Sequence, residues 1–225
     1  MERASVSLPL MKKVSCATGV LVLTVFTAGL VDVLSFAKLG AIFTSAMTGN
    51  LALLGFYAAT GAVHSAIKSL SALAGFIVGC AVGTIQSRHA TDRAAIRRIL
   101  GLETLTIVVC AVGSMQSSLS ARGDFMQVEI LLLAFAMGLQ SIVGARLKQT
   151  NVVFTTTLIK IVSAAIGSAR EQSSAGERQR DTAVVIAYLI GALTAGATIA
   201  THFTAALVIP VLAIGAAFIC ARGVK

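Results

Sequence analysis

Six apolar runs, at about 16–37, 66–86, 99–119, 127–146, 182–201 and 203–221, constrain this chain more than any other feature of its sequence. A helix rises about 1.5 Å per residue, so each run is close to the ~20 residues needed to cross a bilayer's hydrocarbon core. Composition agrees. Of 225 residues 56% are hydrophobic and 12% charged, with a mean hydropathy of +0.90, whereas soluble domains carry about a quarter charged residues. A disordered chain is excluded by the hydrophobicity, and a disulfide scaffold by having only four cysteines in this length. Cys16, Cys80, Cys110 and Cys220 sit in or beside apolar runs with no C-x-x-C spacing, and read as small buried hydrophobes. The expected fold is a single all-α integral membrane domain spanning 1–225.

Two further apolar stretches, 40–61 and 149–168, are interrupted by Thr48-Gly49-Asn50 in the first and by Thr155-Thr156-Thr157 and Lys160 in the second. Charge decides how to count them, because every extra crossing inverts the side of each later loop, and Lys and Arg collect in cytoplasmic loops. If both stretches turn back without crossing and the N-terminus is cytoplasmic, fourteen of the 18 Lys and Arg residues face inward, including Arg88, Arg93, Arg97 and Arg98 in one loop. Eight full crossings would move that loop and the Arg146/Lys148 pair outside. The expectation is six transmembrane helices plus two re-entrant segments in a bacterial inner membrane, both termini cytoplasmic, with cytoplasmic loops at about 87–98 and 169–181. The first run exceeds a signal-peptide core and lacks an A-x-A end, so it reads as a retained span. The net charge of +9 follows from the same bias, so the expected partner is the lipid bilayer and no nucleic acid.

Ala28-Gly29-Leu30-Val31-Asp32 resembles Met137-Gly138-Leu139-Gln140-Ser141 at an offset of 109, and each is followed about 20 residues later by a Thr-rich interrupted segment. Three crossings per unit would set the halves, about 16–119 and 127–222, in opposite orientations as an inverted 3+3 repeat. The stretches A-G-L-V-D-V-L-S-F at 28–36 and F-T-S-A-M-T-G-N-L-A-L-L-G at 43–55, then G-L-Q-S at 138–141 before T-T at 155–156, resemble the YoaK-like family of bacterial multi-pass membrane proteins. That resemblance covers nearly the whole chain and implies a roughly six-span inner-membrane protein with no established substrate. One departure stands out: Ile159-Lys160 occupies the place where the family's second half often repeats a Thr-Gly pair, so equivalent sites in both halves do not carry over.

Asp32 lies two-thirds along the first span, where an ionised carboxylate costs about 2.5–3.5 kcal/mol unless paired or hydrated. Such acids bind a cation or proton, or accept hydrogen bonds from a neighbouring helix. Thr48, Gly49 and Asn50 combine backbone freedom with side-chain oxygens and an amide, as broken transporter helices do; Asn50 also suits the N-cap of a helix starting at Leu51. Lys160 can pair with Asp32, bind an anion or snorkel to the interface. Gln140 and Ser141 align with Val31 and Asp32 and can line the same cavity with Thr156. Glu103 and Glu129 fall near the expected span ends and rank second. Ser71, Gly75, Gly79 and Gly83 place a small residue every fourth position for close helix packing, inside the bundle or between protomers of a homo-oligomer. Pro210 suits a kink.

His64, His89 and His202 fit no H-E-x-x-H, and neither G-x-S-x-G nor a P-loop occurs, so no enzyme, metal site or cofactor is expected. The expected function is a secondary transporter or channel for a small solute or ion, with Asp32, Thr48, Gly49, Asn50, Gln140, Ser141, Thr156 and Lys160 as its site. The alternative is a non-transporting membrane assembly or lipid-sensing protein, whose polar residues would be tied up in a dry bundle.

Overall fold

A computed structural model describes residues 7–115, 123–147, 157, 159, 161–163, 175–201 and 203–224. The long helices are α1 (Ser7–Lys38), α2 (Met47–Ala59), α3 (Val63–Ser87), α4 (Asp92–Met115), α5 (Gly123–Arg146), α6 (Ala175–Thr201) and α7 (Phe203–Cys220), followed by a 3-10 turn, Ala221–Gly223. No strand occurs among the described residues. Thr156 and Lys160 lie outside them, as does most of the second interrupted stretch.

The helices are apolar on both faces. Ile77, Ile85, Leu193 and Leu212 each expose more than 60% of their surface, which in water would be a large uncovered patch but in a bilayer meets lipid tails. Among the described residues, four segments are long and apolar enough to cross a membrane: Cys16–Lys38, Val63–Ser87, Phe125–Arg146 and Gly176–Ile199. This is an all-helical membrane protein. The helix holding the run at 99–119 differs from the sequence expectation, because it begins seven residues earlier at Asp92 and carries Arg93, Arg97 and Arg98 in its first two turns. Long arginines extend along a helix toward polar surroundings, so charge at the start of a helix does not end it.

Packing relies on missing side chains where helices cross. On α3, Gly75 and Gly79 lie against the carbonyls of Leu131 and Phe135 on α5, and Gly138 of α5 lies against that of Phe76, so a Cβ at any of the three would strike backbone. Gly83 meets the Ile142 side chain instead, and Ser71 accepts a hydrogen bond from Gln127. The stripe read from the sequence thus faces α5. Across the bundle, Gly29 of α1 lies against the Tyr188 carbonyl and Gly191 of α6 against that of Phe26. Between these two crossed pairs, α4 and α7 pack against each other, α4 also against α5 and α7 also against α1.

Among the described residues, two large apolar clusters fill most of the interior, beside a smaller one of Leu30, Leu34 and Ala195. The first large cluster joins Leu21, Val25, Ile99, Leu100, Leu139 and Val143, and the second Val31, Ile42, Ile107, Ile130 and Met137. Basic residues gather at the first cluster's end: Arg146 pairs with Asp92 at 2.8 Å and donates to the Ser87 carbonyl, and Arg97 stacks over the Phe218 ring.

Candidate functional site

Asp32 sits on α1 six residues, or roughly 9 Å, before the helix ends at Lys38. Beyond Lys38 the chain reverses. Gly40 (φ 93°) and Ala41 (φ 60°) are both left-handed, a conformation glycine takes freely and alanine does not, and the Ala41 amide donates back to the Phe36 carbonyl at 3.0 Å. This reversal returns residues 43–45 alongside α1. There the Thr44 amide (2.8 Å), Thr44 hydroxyl (3.1 Å) and Ser45 amide (2.7 Å) all donate to Asp32 Oδ1. The Ser45 hydroxyl (2.5 Å) and the Tyr188 hydroxyl of α6 (2.9 Å) donate to Oδ2.

Asn50 completes the arrangement from the other side. It is fully buried, donates from Nδ2 to the Phe43 carbonyl at 2.5 Å and accepts from the Phe43 amide at 3.1 Å, so its side chain pairs with that residue's backbone as a neighbouring strand would. The reading of Asn50 as N-cap of a helix starting at Leu51 is corrected. The helix starts at Met47, after Ala46, which makes no side-chain cap, and Asn50 lies within its first turn. Gly49 packs against the Phe43 ring and Thr48 is exposed. Asp32 and Asn50 are therefore brought together as two clamps on one buried loop. A carboxylate has about four acceptor sites, and five donors saturate it, so Asp32 has no lone pair left for a solute.

The other predicted residues lie elsewhere. Gln140 is buried, and its Nε2 donates to the Thr24 carbonyl at 2.7 Å, two turns or about 12 Å along α1 from Asp32. Its Oε1 has no partner among the described residues. Ser141 donates to the Met137 carbonyl at 2.9 Å within its own helix. Neither shares a cavity with Asp32.

The cavity is formed by other residues, among which the sequence ranks only Glu129, in second place. A space of about 230 Å³ lies between α1, α4, α5 and α7, at the end of the bundle away from the arginines. Val31, Leu34, Ile107, Leu133 and Pro210 form most of its wall. Ser35, Lys38, Cys110, Ser114 and Glu129 supply the polar groups, with the Ser114 hydroxyl donating to Glu129 and the buried Ser35 hydroxyl unpartnered among the described residues. An apolar pocket with a few convergent polar groups is the usual form of a small-molecule site. Asp32 borders this wall without joining it: Val31 and Ser35 of its helix and Leu39 of its loop line the cavity.

Glu103 is the second departure from the sequence reading. With α4 starting at Asp92, it falls at mid-helix rather than near an end. Its accessible surface is 0%, and neither carboxyl oxygen has a hydrogen-bond partner among the described residues. Burying a polar group uncompensated costs roughly 2–7 kcal/mol, and both Glu103 oxygens meet that condition among the described residues. Counting helix length from its true start would have placed it. No group of three or more His, Cys, Asp or Glu residues capable of holding a metal occurs among the described residues.

Comparison with known proteins gives the same family as the motifs. The family model described as protein of unknown function (DUF1275) matches residues 20–220. The UPF0700 transmembrane protein YoaK of Bacillus subtilis (strain 168) is 31% identical over 179 residues, covering 74% of this chain and 77% of that protein. No solved structure matches. The match runs from α1 through α7 and includes both the Asp32 loop and the cavity, so the chain belongs to the DUF1275 family of transmembrane proteins.

Proposed function

We propose that this protein is a secondary transporter or channel for a small solute, and that the cavity holding Glu129 is its outward-facing binding site. The cavity carries this reading: about 230 Å³ of mostly apolar wall with one carboxylate, two serine hydroxyls and one lysine. That chemistry suits a small solute with an apolar body and a cationic or hydrogen-bond-donating group for Glu129. No cofactor and no catalytic step belong to it.

The architecture behind the proposal is six spans, α1, α3, α4, α5, α6 and α7, with α2 re-entrant. Thirteen residues of α2 cover only about 20 Å, and the loop before them folds back along α1, so α2 starts within the membrane and returns to the side it came from. Two related halves are supported by the packing. Exchanging α1 with α5, α3 with α6 and α4 with α7 leaves the pattern of packed pairs unchanged, and Gly29 and Gly138, 109 residues apart, both occupy backbone crossings. With the arginine end cytoplasmic, both termini lie inside and the cavity faces out of a bacterial inner membrane.

One observation favours the alternative, a membrane-embedded assembly or lipid-sensing protein: the polar atoms of Asp32 and Asn50 are tied up in hydrogen bonds within the chain. Native Cys110 in the cavity wall separates the two. In a chain carrying Cys16→Ala, Cys80→Ser and Cys220→Ala, reconstituted in vesicles, a small polar thiol reagent should label Cys110 from the outer side, and Glu129→Leu should slow that labelling severalfold. Absence of labelling from either side would favour the assembly reading.

A further inference from the structure

We infer that Glu103 is a proton-binding site at the centre of the bundle, loaded from the cavity and coupled to what the cavity carries. The inference deepens the transport reading above and rests on it. Glu103 occupies the face of α4 shared by Ile96, Ile99, Leu100 and Ile107, three, four or seven residues away, all of them buried. Ile99 and Leu100 belong to one apolar cluster and Ile107 to the other, so Glu103 marks the level where the two meet. Two other helices turn polar at that same boundary. On α1, Thr24 and Thr27 fall between Leu21 and Ala28, and on α5, Gln140 falls between Met137 and Val143.

This layer is rich in acceptors and short of donors. Thr24 and Thr27 spend their hydroxyl protons on the Leu21 and Leu23 carbonyls of their own helix, and Gln140 spends Nε2 on the Thr24 carbonyl. What remains unpartnered among the described residues is both oxygens of Glu103 and Oε1 of Gln140. Among the described residues, no ion pair or hydrogen bond brings a lysine or arginine to this layer. Arg146 and Arg222 lie at the inner end, Arg146 already paired with Asp92; Glu129 lies at the outer end bonded to Ser114, and Cys80 on α3 donates to the Gly138 carbonyl. A metal ion requires several oxygens and space around it, whereas a proton needs only one carboxyl oxygen. The source of that proton is close: Ile107, in the cavity wall, is one turn, or about 6 Å, along α4 from Glu103 on the same face. In loading, a hydronium ion at the cavity floor breaks one of its O–H bonds and leaves as water while a Glu103 oxygen forms an O–H bond; in unloading, the Glu103 O–H bond breaks and a water on the inner side gains the proton as a new O–H bond. No oxidant or reductant is involved.

The test is infrared spectroscopy of the full chain in vesicles, in water and after transfer to heavy water. A carboxylic acid carbonyl band of a group accepting no hydrogen bond is expected. It should disappear in Glu103→Gln, move in Glu103→Asp, persist in Glu129→Gln, and shift downward in heavy water within the time of exchange. A band untouched by Glu103→Gln, or one that never exchanges, would overturn the proposal by showing a carboxylate or a sealed structural acid. Saturable loss of the band on adding sodium chloride, against a choline chloride control, would assign the site to sodium and overturn the proton. An exchanging Glu103 band together with an unlabelled Cys110 would sink the outer cavity and leave the proton site standing.

Discussion

Asp32 shows how differently one residue reads from sequence and from structure. An acid two-thirds along a span stands out by its cost, and the sequence marks Asn50 for its place after a glycine; both hold the loop between α1 and α2, and neither lines the cavity. Their partners are only partly legible, because two of the five donors to Asp32 and both Phe43 groups that meet Asn50 belong to the backbone, which carries no sequence signature. The same geometry sets unequal costs for removing each member. Tyr188→Phe deletes one of five donors and should lower stability by about 1 kcal/mol, while leaving the loop in place. Asp32→Ala leaves the buried amides of Thr44 and Ser45 without their acceptor, at about 1–3 kcal/mol for each group, and should lower the melting temperature several times further. Thermal unfolding of both variants in detergent measures the difference. Equal losses would mean that Tyr188, rather than the loop, is what Asp32 holds. Glu103 ranks second in the sequence for another reason: hydropathy starts its helix at the first apolar residue, and Arg97 and Arg98 conceal two helical turns that the structure includes, whereas Glu129 does lie close to the start of its span.

Helix pairs are held by glycine crossings, and this element-scale feature is more legible than the site. A small residue every fourth position already names the contact face of α3, since residues three and four apart share a helix face. The partner is not named, because Gly138 has no such stripe around it, and its role depends on where Phe76 falls on the other helix. Gly79→Leu should therefore force α3 and α5 apart and abolish recovery of a monodisperse protein in detergent. Gly196→Leu on α6, where nothing lies within 4 Å of an added Cβ, should leave recovery and melting temperature near those of the parent. Similar damage from both would show that bulk within an apolar helix, not the crossing, is the cause. At the loop between α1 and α2, Ala41→Gly should raise stability by a few tenths to about 1 kcal/mol, because φ of 60° strains alanine but not glycine, whose gain is offset by its freer unfolded chain. Chemical denaturation of the variant against the parent reads that sign directly.

The whole molecule is governed by the direction in which it sits, and charge alone sets that from sequence. The arginines at the end of α3 and the start of α4 occupy one end of the bundle together with Arg146 and Arg222, and the cavity opens among the last turns of α1 and α4 and the first of α5 at the other. Moving four or more basic groups to the outer face would oppose the bias that fixes orientation during insertion. Single cysteines on a chain otherwise cleared of cysteine test this at two exposed places, Arg93→Cys at the start of α4 and Thr60→Cys at the turn between α2 and α3. A membrane-impermeant thiol reagent on intact cells should label position 60 and not 93, and lysed cells should yield both. If α2 crossed instead of turning back, α3 would run the other way and the turn at 60 would lie inside with the arginines outside, inverting the pattern. Labelling of 60 and 93 from the same side would instead remove α3 as a span. The intact-cell result also fixes what the cavity faces: with position 60 outside, Glu129 lies in the outer half, and the route from it past Ile107 to Glu103 leads inward, the direction in which a bound proton would be carried.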